Sequence, residues 1–239
     1  MLLSRRQLSL LGLCSLTLAG PAHAHTSTEE ELTCPVDGTK LTVSVTMSYT
    51  TFGQLRDFAV TGAIGNLYAS YIHACPKCHF AGYADEFAKP VPAATKSWQL
   101  SHGSRKWVSR QLSAAQECEA AADRYVFEQR KPGEIAQLYL VGSYLLRTET
   151  GPLLAKRKEY QRAASLYLLA ALAAGDVEVK ERGGTTYLVA DLERRIGRFK
   201  DAISHYGAAL KERDNPAGLV TWIKEQRALA ERSDARNDI

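Results

Sequence analysis

HACPKCHFAGYADEF, residues 73–87, sets two cysteines three positions apart, with a proline after the first and a histidine after the second. Three chemistries use that pattern. Cys75 and Cys78 could supply half of a tetrahedral metal site or exchange electrons as a dithiol. With His79 they could also attach a c-type haem through two thioethers. Each reading asks for a different neighbourhood, so the rest of the chain has to decide.

The device occurs twice. TCPVDGTKL, residues 33–41, again places Cys-Pro before a candidate ligand, here Asp37, and follows it with turn-forming residues. In a zinc knuckle the first cysteine ends an extended segment, the turn points backbone N–H groups at its sulfur, and the second ligand arrives a turn later. Two such turns close a tetrahedral site. The expected ligand set is therefore Cys34, Asp37, Cys75 and Cys78, with zinc as the cofactor. Asp37 is also the first residue of an Asp-Gly turn signal, and His73, His79 or Cys118 are alternative fourth ligands. The haem reading would use His79 as proximal ligand and His102 or Met47 as distal ligand, but it leaves TCPVDG unexplained. The dithiol reading lacks the βαβ pattern on which thioredoxin-like cysteines sit.

Working outward, KLTVSVTMSYTTF at 40–52 alternates through Leu41, Val43, Val45 and Met47, which predicts a half-buried strand. Residues 25–31 are polar and read as loose, and 54–65 as loop. Residues 25–88 thus form a small β-rich cysteine-knuckle module resembling a zinc ribbon. Prolines, glycine and small polar residues at 89–111 read as a connector, with Trp98 tucked onto a neighbouring module.

From 112 to 239 the pattern becomes helical, with helices over 112–130, 134–147, 159–174, 187–196 and 199–213 and a last one after Pro216. YQRAASLYLLAAL and FKDAISHYGAALK share an aromatic, alanine, tyrosine, alanine series through Tyr160/Phe199, Ala163/Ala202, Tyr167/Tyr206 and Ala170/Ala209. This is similar to the second helix of a tetratricopeptide repeat, whose usual period is about 34 residues. The spacing here is longer, and an irregular bundle with small-residue crossings fits nearly as well. The fold class expected is a small β-rich zinc-knuckle module followed by an all-α, tetratricopeptide-like helical domain, whose partner would be a protein or peptide.

The first 24 residues have the parts of an export signal: Arg5 and Arg6, an apolar run from Leu8 to Leu18, and Ala22-His-Ala24 as a cleavage site. SRRQLSL resembles a twin-arginine signal, and an ordinary secretory signal gives the same outline. Either places the protein in the periplasm or outside the cell, with no stable membrane span after signal removal. Without those residues 28 Lys/Arg face 26 Asp/Glu, which argues against a nucleic-acid surface. KRK at 156–158 and ERRIGRFK at 193–200 read as solvated helix faces. No nucleotide loop, serine-hydrolase elbow or metalloprotease helix motif is present. His205 reads as a surface or groove residue, and Asp85 and Glu86 as helix-start residues.

The chain resembles the uncharacterised bacterial DUF2225 family through CPVDGTKL, the Arg56-Asp-Phe58 triplet, LYASYIHACPKCHFAGYADEF, SYLLRTE and EYQRAASLYLLAAL. The resemblance implies two CPxC knuckles, a helical region suggestive of tetratricopeptide repeats and no established reaction. Its knuckle positions carry over onto Cys34, Cys75 and Cys78. Asp37 departs from the pattern, His79 stands where the family has glycine, and the export signal is a further departure. The function expected is an exported zinc-binding or structural protein with a helical interaction surface; the alternative is a periplasmic dithiol or c-type haem electron-transfer protein.

Overall fold

The computed structural model describes residues 25–62 and 67–236. The segment read as an export signal lies outside the described residues.

The N-terminal part is three antiparallel two-stranded ribbons. Strand β1 (His25–Thr33) pairs with β2 (Lys40–Tyr49) from His25–Tyr49 to Thr33–Lys40, with an irregularity after Thr26. The expected alternation holds in β2 for Leu41, Val43 and Val45, but Met47 is 67% exposed. Strand β1 corrects the reading of 25–31 as loose. Its Thr, Ser and Glu side chains stay in solvent and only Leu32 is buried, so no apolar alternation marks it; the unpaired edge of β2 supplies the backbone partners. Strands β3 (Thr51–Gln54) and β4 (Val60–Gly62) form a hairpin around residues 55–59, and β5 (His73–Ala74) and β6 (Ala81–Gly82) flank the second cysteine turn.

Among the described residues seven helices follow: α1 (Ala93–Lys106), α2 (Ala114–Phe127), α3 (Pro132–Leu145), α4 (Gly151–Ala174), α5 (Arg182–Arg195), α6 (Phe199–Ala209) and α7 (Ala217–Glu231). Local chemistry marks their ends. Ser113 accepts from the Gln116 N–H and Gln116 answers to the Ser113 N–H, a capping box. Gly175 closes α4 in the left-handed region at φ 75°. From α2 onward each helix packs on the next in a solenoid-like series. The repeat series is out of phase by one residue: α6 buries Ala202, Tyr206 and Ala209, but α4 buries Ala164, Leu168 and Ala171, leaving Ala170 exposed.

Helix α1 lies within the stretch read as a connector. Pro90 and Pro92 mark an entrance rather than an interruption, since Pro92 sits at the N-cap. The helix is laid against the second cysteine turn. Gln99 Nε2 donates to the Cys78 carbonyl at 2.8 Å, and a Cβ on Gly103 would stand 2.2 Å from that same oxygen. Trp98 stacks between His102 and Phe127 of α2. Gly103→Ala is therefore expected to cost about 1–3 kcal/mol by overpacking. Gly133→Ala, where the added methyl meets nothing within 4 Å, should not. Urea midpoints of the two variants check this.

The hairpin loop reaches the helices. Tyr144 Oη on α3 donates to the Asp57 carbonyl at 2.5 Å, and Tyr187 Oη on α5 to the Arg56 carbonyl at 2.6 Å. Phe58 packs on Tyr187 and Trp222, and the Arg56 guanidinium lies over Trp222 of α7. The loop thus bridges alternate helices of the series. Its Asp57 is buried, as are Arg157, Arg194 and Arg195, which overturns the solvated-face reading of the two basic stretches. Buried carboxylates draw Arg194 and Arg195 inward: Asp57 reaches Arg147 and Arg195, and Asp191 reaches Arg194 and Arg195.

Where α2 meets β5, Ala74 N–H donates to Glu117 at 3.2 Å, and burial pushes the Glu117 carboxyl up to about 7. A carboxyl raised on folding stabilises while protonated and loses that contribution as pH rises through its folded value. Glu117→Gln should thus be more stable than the native chain at pH 8, by roughly 1–3 kcal/mol, with the gap closing below pH 4.5. Thermal melts across pH test the sign.

Candidate metal centre

Both cysteine turns are built alike. In the first, Cys34 N–H donates to the Thr39 carbonyl at 2.8 Å and Gly38 N–H to the Cys34 carbonyl at 2.9 Å. In the second, Cys75 N–H donates to Phe80 at 2.8 Å and His79 N–H to Cys75 at 2.9 Å. Gly38 and His79 occupy the equivalent left-handed position, at φ 74° and 59°. That conformation favours glycine, so His79 is held there at a local cost.

These matched turns bring together Cys34, Asp37, Cys75 and Cys78, with one ligand atom from each within 4.8 Å of the others. Cys34 Sγ and Cys78 Sγ are 3.5 Å apart, and Cys75 Sγ lies 3.7 Å from Asp37 Oδ1. A tetrahedral zinc with ordinary bond lengths would have S···S edges of about 3.8 Å and S···O edges of about 3.6 Å. These two edges fit such an ion. Asp37 also accepts from Thr39 N–H at 3.0 Å, so its turn role and a ligand role use the same carboxylate.

The three sulfurs are buried and free of disulfides. Donation from Cys34 and then Cys78 holds the Cys75 thiol far below the usual thiol range, assisted by the Lys77 N–H at 3.5 Å. The interaction with Cys75 pushes Cys34 up to about 12, and Cys78 is raised by Cys34 and Cys75. Three thiols this close oppose one another's ionisation; a divalent cation would allow all three to ionise.

The alternative ligands fall elsewhere. His79 Nε2 donates to the Ser109 carbonyl at 2.9 Å, His73 pairs with Gly82 in the β5–β6 ribbon, and Cys118 is enclosed in the α2–α3 core. None of them belongs to the cluster. The haem pattern is likewise not arranged for haem: Cys75 and Cys78 face Cys34 and Asp37, His79 is engaged, His102 stacks on Trp98, and Met47 points to solvent.

The centre is anchored to the helices through a residue that reads as an ordinary helix start. Glu86 accepts from Arg124 Nη2 and Tyr125 Oη, both at 2.9 Å, while Arg124 Nε donates to the Ala81 carbonyl at 3.0 Å. Arg124 also lies over the Phe80 ring. No local pattern announces Glu86, because its partners lie far along the chain.

A strand region that gathers three cysteines and an aspartate, seated on a series of stacked helices, defines the class of this protein. Residues 27–230 match the family described as an uncharacterized protein conserved in bacteria, DUF2225. The chain belongs to that family. No curated protein and no solved structure matches it. Among the described residues no helix is long and apolar enough to cross a membrane.

Proposed function

We propose that Cys34, Asp37, Cys75 and Cys78 hold a structural zinc ion in a paired-knuckle module, and that the protein is a non-enzymatic envelope component whose tetratricopeptide-like helices engage a protein or peptide. The observation that carries the zinc reading is the convergence of four ligand atoms from two equivalent turns to within 4.8 Å of one another, with edges of 3.5 and 3.7 Å among them. Burial of all three sulfurs weighs against a dithiol that must meet redox partners, because reactive cysteines are partly exposed.

The partner reading is supported by a cleft of about 640 Å³ between α2, α3 and α4. Leu145, Leu146, Leu153 and Tyr160 give it apolar walls, and Lys106 and Lys156 flank the Glu119 carboxylate. Such a mixture suits an amphipathic peptide side. The surface across α3, α5 and α7 is already taken by the Arg56–Phe58 loop. Export to the periplasm rests on the Arg5-Arg6 and Leu8–Leu18 pattern.

Elemental analysis of the purified full chain tests the zinc reading. Close to one zinc per chain is expected, lost in Cys75→Ser. Metal-free native protein carrying a Cys75–Cys78 disulfide would overturn it.

A further inference from the structure

The cleft between α2, α3 and α4 opens beside the end of the strand region at which residues 1–24 join the fold. Ala69, in the turn Leu67–Ser70, lines it. The neighbouring Ser70 Oγ lies 2.8 Å from Thr46 Oγ1 of β2, and Thr46 pairs with Ser27 of β1. His25 stands just before, paired with Tyr49, whose side chain meets that of Tyr71. From His25 back to Leu18 the chain spans up to roughly 25 Å when extended. A tether of that length gives an effective concentration on the order of millimolar, so that even weak contacts between the N-terminal segment and the cleft are populated while the two are joined.

The two surfaces are complementary. Trp107, Leu145, Leu146, Leu153 and Tyr160 wall the cleft, and Leu153, in the first turn of α4, is left 45% exposed. Apolar side chains gathered in a concavity gain by being covered. Lys106 and Lys156 are tied to Glu119, whereas Glu149 on the rim is exposed and no ion pair holds it among the described residues. The N-terminal segment offers Leu8, Leu10, Leu11, Leu13, Leu16 and Leu18 in one run, with Arg5 and Arg6 just ahead of it. The cleft of about 640 Å³ takes a few of those leucine side chains rather than the whole run.

We propose that in the uncut chain the leucine run of residues 8–18 occupies this cleft, with Arg5 and Arg6 at Glu149, and that removal of residues 1–24 uncovers it. The inference rests on the reading of the cleft as a peptide site and names its first occupant. Cutting the tether removes the effective concentration that holds the segment in place. The cleft is then open only after export, where a partner meets it. The docking is independent of the zinc centre, since it shares no residue with it.

The test uses the uncut full chain carrying a photoreactive benzoylphenylalanine in place of Leu11, with crosslinks mapped by mass spectrometry. An intramolecular crosslink is expected, its yield independent of protein concentration, to peptides carrying Trp107, Leu145, Leu146 or Leu153. Leu153→Glu should lower that yield by about tenfold or more. Leu166→Glu, at a position 51% exposed on α4 but outside the cleft, should leave it unchanged. Should Leu153→Glu fail to fold, the rim variant Glu149→Lys decides, with an expected loss of about two- to fivefold. Crosslinks that form only between chains, that fall on other elements, or that persist undiminished in these cleft variants overturn the proposal. Those results leave the peptide reading standing, because that reading concerns the chain after residues 1–24 are removed. An intramolecular crosslink to the cleft in a protein whose cut form takes no peptide supports the docking and sinks the reading instead.

Discussion

Asp57→Asn should lower the stability of the protein by about 3–5 kcal/mol, the cost expected when one partner of a buried ion pair is removed. Asparagine keeps the shape of the side chain but not its charge, and Asp57 is 2% exposed. Its loss would remove the carboxylate that lies 2.5 Å from Arg147 Nη2 and 3.6 Å from Arg195 Nη1. The loop would then have to hold through the tyrosine hydrogen bonds from Tyr144 and Tyr187 and through Phe58, which sits in the left-handed region at φ 65°. Trp222, stacked under Arg56 and close to Phe58, reports loop release through its fluorescence, so urea titration reads docking and stability together. An unchanged urea midpoint would refute this account. Arg56→Ala provides the contrast. It breaks a half-exposed pair with Glu225 at 2.9 Å, of a kind worth no more than about 1 kcal/mol.

That contrast also explains what could be read from the sequence. The helices from α2 to α7 were legible because periodic apolar positions and their caps are local signals. Helix α1 was not, because its close packing replaces an apolar stripe with glycine and glutamine set against the Cys78 carbonyl. Strand β1 was hidden by its solvent-facing Thr, Ser and Glu residues, whose ordering comes from pairing with β2. The metal candidates were legible because cysteine turns combine scarce residue types with a fixed spacing. Asp57, Glu86 and Arg157 were not, and the reason is common to all three. Their partners lie on other stretches of the chain: Arg147 and Arg195 for Asp57, Arg124 and Tyr125 for Glu86, and the Arg147 carbonyl for Arg157. A basic run looks the same in sequence whether it faces water or a buried carboxylate.

The largest effect is expected at the cysteine cluster itself. Structural zinc sites carry apparent binding free energies of about 10–16 kcal/mol at neutral pH, and much of that is folding free energy. Here Cys34, Cys75 and Cys78 are also core residues, packed with Leu32, Val43, Phe80 and Phe87. Because the cysteines belong to this cluster, on the zinc reading stripping the ion with a chelator, or Cys75→Ser, should open the strand region first. Hydrogen exchange is expected to show lost protection in β1, β2, β5 and β6, while α4, α5 and α6 retain theirs through the separate clusters around Leu168 and Tyr206. Asp37→Cys should act in the opposite direction. It replaces the single oxygen with a softer thiolate at a position already 3.7 Å from Cys75 Sγ, and softer ligand sets hold zinc more firmly. Competition with a colorimetric chelator should then show affinity rising by about tenfold or more, an added 1.4 kcal/mol at least. Affinity unchanged by Asp37→Cys and also by Asp37→Ala would mean that Asp37 serves the turn alone and that the ion is held by three cysteines. Protection in β1 and β2 that survives complete removal of zinc would show instead that the apolar contacts of Leu32, Val43 and Phe80 are sufficient to hold the ribbons without the metal.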